Sequence, residues 1–185
     1  MKEFELDKIL KNGKIGSELE LEQATLADRK MRLLEAESLT IKRKRSKLKK
    51  LILDYENKHW SSKSRITKRK IEESDKAEKT AELQEEFFQN RKSIIKSKLK
   101  KHGLNQQEFG KILGHKNKSY ISELMNGVNP FSLKDIIVVS KLLKIELDDL
   151  VYKSIPIKEQ EKIVKTIESL DKPKLKLNKN EFTLV

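Results

Sequence analysis

The sequence predicts an all-α protein, with a helical amino-terminal region followed by a compact domain of short helices. Two observations carry that expectation. The first is composition: 36% of residues are hydrophobic and 38% charged, which suits slender helices with wide solvated faces better than one thick core. The second is spacing, because apolar residues recur at intervals of three, four and seven with helix-capping residues ahead of them.

Taken in order, residues 1–16 mix Asn12, Gly13 and Gly16 with isolated apolar positions and read as a short lead-in. Ser17 followed by Glu20 is a capping box, and Leu19, Leu26 and Leu33 recur at seven, predicting a helix to about Glu37. A second helix is expected from Ser38 to Trp60, with a stripe of Leu48, Leu51, Ile52 and Tyr55. Ser61, Ser62 and Ser64 interrupt the pattern. The stretch 65–86 offers only Ile71, Ala77, Ala81 and Leu83 for burial, so it reads as a helical connector or a mobile arm. Phe87, Phe88, Ile94, Ile95 and Leu99 then restore helical spacing up to His102. Beyond Tyr152, Pro156 breaks the chain, a short helix fits about 158–170, and Pro173 precedes a loose Lys-rich tail. The expected organisation is a helical region over 1–62, a polar connector over 63–86, a compact domain over 87–152, and a short helix with a basic tail over 153–185.

The formal net charge of +13 and pI of about 9.7 favour a polyanionic partner, since each phosphate neutralised releases a counterion. Nucleic acid, double-stranded DNA among its forms, is the leading candidate and a membrane surface trails it. No apolar run approaches a membrane span, and the start of the chain lacks the apolar stretch of a signal peptide, so a cytoplasmic protein with no membrane partner is expected. There is no cysteine and there are three histidines, which argues against a metal site; no cofactor is expected. No nucleophile with a base and no phosphate-cradling loop is present, so catalysis is not expected. Glu56-x-x-His59 comes nearest, but it lacks the second histidine of a zinc-protease helix.

The informative segment is 104–127. Asn105 caps a helix whose Phe109, Ile112 and Leu113 face inward, Gly114 supplies a permissive turn, and Asn117 or Ser119 caps the next helix. Ile121, Leu124 and Met125 fill the inner face of that second helix. Lys118, Ser119, Tyr120, Ser122 and Glu123 are left on or near its outer face, where a recognition helix meets base edges. Asn126-Gly127 ends it, Asn129-Pro130 turns the chain, and Ser132 caps a helix carrying Leu133, Ile136, Ile137, Ser140 and Leu143. Leu147, Leu150 and Val151 are expected to close the core.

Residues 94–151 resemble the five-helix domain of the Cro and phage-repressor class. The resemblance lies in Leu104-x-Gln106, the Gly114 turn, Ile121-Ser122-Glu123-Leu124, Asn126-Gly127 and the closing run over 142–150. It implies a helix-turn-helix that binds DNA, with Gln106 touching phosphate and bracing Lys118, and with Asn129 and Lys134 as flank contacts. The turn at His115-Lys116-Asn117 is one residue longer than the usual pattern, which adds Lys116 and Asn117 to the candidate DNA contacts. A small protein-binding helical bundle would show the same caps and spacing.

The stretch Leu51-Ile52-Leu53-Asp54-Tyr55-Glu56-Asn57-Lys58-His59-Trp60 resembles the Leu-Ile-x-x-Tyr-Glu-x-x-His segment of HigA-type antitoxins, where a helical region precedes a repressor-like domain. That resemblance implies a homodimeric autorepressor that neutralises a HigB-like ribonuclease toxin. The polar insert and the tail depart from the pattern. Leu26, Leu33, Leu48, Leu51 and Tyr55 are the candidate partner-binding residues, with internal packing as the plainer outcome. The run 42–50 places seven basic residues among nine; it suits DNA phosphate, an acidic protein face, or a solvated helix face. A stand-alone regulator and a basic scaffold without sequence preference remain alternative readings.

Overall fold

The computed structural model describes residues 4–62, 66–153, 155, 157–170 and 172. Every regular element among them is helical. Helix α1 spans Leu6–Asn12 and ends on Gly13. This corrects the expectation of a lead-in without a stable element. Its apolar residues look isolated in sequence, yet Phe4, Leu6, Ile9 and Ile15 are all buried in the amino-terminal core. Tertiary packing stabilises a helix too short to persist alone.

Helix α2 (Glu18–Leu34) begins at the expected cap: Ser17 Oγ accepts from the Glu20 amide, and Glu20 reaches back to the Gly16 amide at 2.7 Å. A 3-10 turn, Glu35–Glu37, leads to α3 (Leu39–His59), capped by Ser38. The start of α2 meets the end of α3, because Tyr55 and Trp60 both donate to the Glu18 carboxylate, at 3.0 and 3.2 Å. The two helices therefore form an antiparallel hairpin. Arg45 ties its other end by bonding Asp28 and Glu35.

Helix α4 (Lys68–Lys101) runs unbroken for 34 residues, about 51 Å at 1.5 Å per residue. The division of this stretch into connector and domain at residue 87 does not appear as a break in structure. Ala77, Ala81, Gln84, Phe88, Arg91, Ile95 and Leu99 form one buried stripe at steps of three and four. Ile71 and Leu83 stay exposed; small alanines and the Gln84 amide, bonded to Gln23 of α2 at 2.5 Å, fill the interface instead.

After α4 come α5 (Gln106–Leu113), α6 (Lys118–Met125), α7 (Leu133–Leu143) and a 3-10 turn, Leu147–Asp149. Helix α8 (Ile157–Ser169) follows. Pro156, Pro173, Ser64 and the basic tail lie outside the described residues. The last half of α4, α5, α6, α7 and the 3-10 turn enclose one core around Phe109, Leu113, Ile121, Leu124, Val139 and Leu150. Leu147 and Val151, expected to close this core, are largely exposed; Ile145 and Tyr152 are buried in their place. On α7, Leu133 and Ile137 point to solvent while Ile136, Val139 and Leu143 are buried.

A second core joins α1, α2 and α3 and takes in Val128, which follows α6. The Leu6 amide donates to the Val128 carbonyl at 3.2 Å. The two cores thus meet at the end of α6, and α4, which gives Ile95 and Leu99 to the first core, also packs along α2 through Gln84.

Candidate nucleic-acid interface

Local chemistry sets the turn between α5 and α6. Asn105 caps α5 in a full capping box with Glu108, and Gly114 ends the helix in the left-handed region at φ 87°. Asn117 caps α6 by accepting from the Ser119 and Tyr120 amides, which decides between Asn117 and Ser119. The extra turn residue has a structural role. The His115 ring nitrogen lies 3.1 Å from both oxygens of Asp135, and its ring stands edge-on to Tyr120. Asp135 in turn completes the Ser132 capping box of α7. The longer turn is therefore anchored to the next helix.

Helices α5 and α6 approach closely where Gly110 faces Ile121: a β-carbon at Gly110 would lie 2.6 Å from the Ile121 side chain. Sequence reading passed over this glycine. Ile121 and Leu124 seal the inner side of α6 with 2% and 0% exposure.

The candidate DNA contacts divide into two groups by burial. Lys116, Asn117, Lys118 and Lys134 are exposed. Gln106, Ser119 and Tyr120 are half-buried, while Ser122, Glu123 and Asn129 are buried. The exposure expected for Ser122 and Glu123 is thus corrected, because Gln106 covers the first and Lys44 with Asn129 the second. Gln106 donates to Ser122 Oγ at 3.0 Å, bracing the middle of α6 and not Lys118 at its start. Glu123, 1% exposed, accepts from Lys44 of α3 at 2.8 and 3.1 Å and from Asn129 Nδ2 at 2.7 Å. Lys44 also pairs with Asp7 of α1 at 2.7 Å, and the Asn129 side chain accepts from the Asp7 amide at 3.2 Å and donates to the Asp7 carboxylate at 3.3 Å. Burial disfavours the Lys44 ammonium, but its bonds to Asp7 and Glu123 outweigh that and hold its pKa above the usual lysine value. Ser119 Oγ donates to Ser38 Oγ at 2.7 Å. The outer side of α6 is in contact with α3 and its cap Ser38, and α1 bonds the segment just beyond α6.

A cleft of about 260 Å³ opens beside α6, with Lys92, Lys96, Lys118, Gln106, Ser122 and Asn126 on its walls. Lys92 donates to Asn126 at 2.6 Å. Burial, with Lys96 and Lys30 nearby, pushes the Lys92 pKa down. Lys92 and Lys96 escaped the sequence reading, although their spacing of four on α4 puts them on one face.

Among the candidate partner-binding residues, Leu48 and Tyr55 are buried in the amino-terminal core, Leu26 and Leu51 are half-buried, and Leu33 is 76% exposed. Burial of Leu48 and Tyr55 inside the hairpin leaves neither open to a partner. The Tyr-Glu-x-x-His segment also has an internal role. Tyr55 and Trp60 hold Glu18, and His59 stacks on Tyr55 with ring centroids 4.3 Å apart. In the basic run, Lys44 and Arg45 are spent on acids of the same chain, while Lys42, Arg43, Lys47, Lys49 and Lys50 are exposed.

No helix among the described residues is long and apolar enough to cross a membrane. No curated protein and no solved structure matches the chain. Residues 95–150, less than a third of the chain, match the model of the helix-turn-helix family. With two capped helices packed across a turn that opens on a left-handed glycine, the geometry of this segment is that of a helix-turn-helix unit.

Proposed function

We propose that the chain is a sequence-specific DNA-binding antitoxin: a homodimer that represses its own promoter at an inverted repeat and neutralises a HigB-like ribonuclease toxin. The observation that carries the DNA-binding part is the α5–turn–α6 unit, with Lys116 and Lys118 exposed at the start of its second helix. Lys118 reaches base edges, and Gln106, Lys134 and the lysines of the α4 cleft take backbone phosphate. Residues 91–152 carry twelve Lys and Arg against six Asp and Glu, a difference of +6, so binding should weaken steeply with salt. Symmetry supports the dimer, since this class reads half-sites about 34–36 Å apart with two copies.

The antitoxin part rests on the resemblance of 51–60 to the HigA segment. The toxin surface then falls on what the hairpin leaves uncovered, with Leu33 at its centre. The stand-alone regulator is the second reading, favoured by the burial of Leu48 and Tyr55 within the chain.

The test is growth after induction of the small open reading frame beside this gene, alone and with this chain, followed by a pull-down and by footprinting of the shared promoter. Relief of arrest, a stoichiometric complex and a protected inverted repeat support the proposal. Protection without a toxic neighbour leaves the stand-alone regulator. Equal binding to promoter and shuffled duplexes removes sequence-specific recognition.

A further inference from the structure

Helix α6 is enclosed on both sides. Its inner side seals the helix-turn-helix core; its outer side meets α3 through Lys44–Glu123 and the Ser38–Ser119 bond, and α1 joins the same network through Asp7, which bonds Lys44 and Asn129 just beyond the helix end. A helix that enters a major groove must present its outer side to base edges. Glu123, at 1% exposure, has no path to them while Lys44 lies over it. The covering contact is specific: two carboxylates, one ammonium and one amide are mutually satisfied, as buried polar groups must be to persist.

We propose that the α1–α3 unit is a built-in lid on the recognition helix, so that DNA and this unit compete for the same face of α6. The inference rests on the DNA-binding reading above. Lys44 is the latch. Opening separates Lys44 from Glu123 and Asp7 from Asn129, frees Ser119 from Ser38, and draws the amino-terminal core away from Val128, breaking its bond to the Leu6 amide. Because only the open form binds, the apparent affinity for DNA is lowered by the fraction of chains that are open. The lid also gives the basic run a role opposite to the one its charge suggests: at position 44 a cation opposes DNA binding.

That reversal supplies the test, performed on the full chain with its promoter duplex and a shuffled duplex. Lys44→Glu sets three carboxylates against one another and should open the lid, tightening promoter binding at least tenfold although a positive charge is lost. In the Ser38→Cys/Ser119→Cys variant, the hydroxyl pair 2.7 Å apart is replaced by thiols in a chain that has no other cysteine. Oxidation should lock the lid and abolish promoter binding, and reductant should restore it, with the reduced variant as its own reference. Weaker promoter binding by Lys44→Glu, with the oxidised pair binding as well as the reduced pair, overturns the lid and leaves the DNA-binding reading intact. No binding to either duplex by any variant, Lys44→Glu included, overturns both.

Discussion

Arg91 shows how one residue can hold two parts of the molecule together. Its guanidinium is 2% exposed, donates to the Leu150 carbonyl at 3.1 Å, and lies 4.7 Å from the Phe88 ring and 5.2 Å from the Phe131 ring. It connects the long helix to the last turn of the helix-turn-helix. Arg91→Ala should lower stability by about 2–4 kcal/mol, from the cavity and the unpaired carbonyl together, measured by urea unfolding. A loss below about 0.5 kcal/mol, the level of an ordinary surface substitution, would refute that role. Glu18 acts similarly in the hairpin. Glu18→Ala strands the Tyr55 hydroxyl and the Trp60 ring N–H and should cost about 1–3 kcal/mol, with Tyr55→Phe costing less because it removes one donor and leaves the carboxylate bonded to Trp60. If Tyr55→Phe cost the more, the shared carboxylate would not be what holds the hairpin. At the DNA surface, Lys118→Ala should weaken promoter binding by about 1–3 kcal/mol without changing binding to a shuffled duplex; equal loss on both would make Lys118 a phosphate contact.

Among the elements, the end of α6 is the most constrained. Gly127 has φ 64°, and a β-carbon there would lie 2.8 Å from the Phe88 ring of α4. Gly127→Ala therefore combines backbone strain with a clash against a buried aromatic side chain, and should cost about 2–4 kcal/mol, read as a fall in Tm. A neutral result would mean that α4 can move away from α6. The caps that bound α2, α3, α5, α6 and α7 were legible because Ser17, Ser38, Asn105, Asn117 and Ser132 act within three residues of themselves. What could not be read depended on distant partners. Helix α1 owes its burial to groups as far along the chain as Val128, and the stripe of α4 uses alanines, Gln84 and Arg91 that an apolar pattern does not register. Glu123 was misplaced for the same reason. Its spacing on α6 gave the side of the helix correctly, but that Lys44, 79 residues earlier, covers this side is not encoded locally. The aromatic segment 51–60 was noticed for a family resemblance, whereas its bonds to Glu18 became evident only once α2 and α3 were paired.

At the scale of the whole molecule, the chain behaves as two cores sharing one spine. Helix α4 gives Ile95 and Leu99 to the helix-turn-helix core and packs along α2 through Gln84, Val128 of the helix-turn-helix segment is packed into the amino-terminal core, and the Lys44 network crosses between them. Contacts of this kind should make unfolding a single cooperative event, because loss of the amino-terminal helices would uncover Val128 and the buried stripe of α4, and loss of the helix-turn-helix would take Val128 out of the amino-terminal core. Trp60, the one tryptophan in the chain, makes this testable. It sits at the end of α3, bonded to Glu18 and with the Lys70 ammonium 4.4 Å from its ring centre, so its fluorescence reports the amino-terminal core, while far-ultraviolet circular dichroism reports every helix. The two thermal transitions should coincide in the native protein. Leu48→Ala removes a fully buried side chain from the amino-terminal core and should cost about 2–5 kcal/mol, shifting both transitions down together. If only the fluorescence transition moved, the helix-turn-helix would stand without its partner core. The contact between α3 and α6 would then be a weak docking of two independent domains, and the lid would open at little cost in the native state.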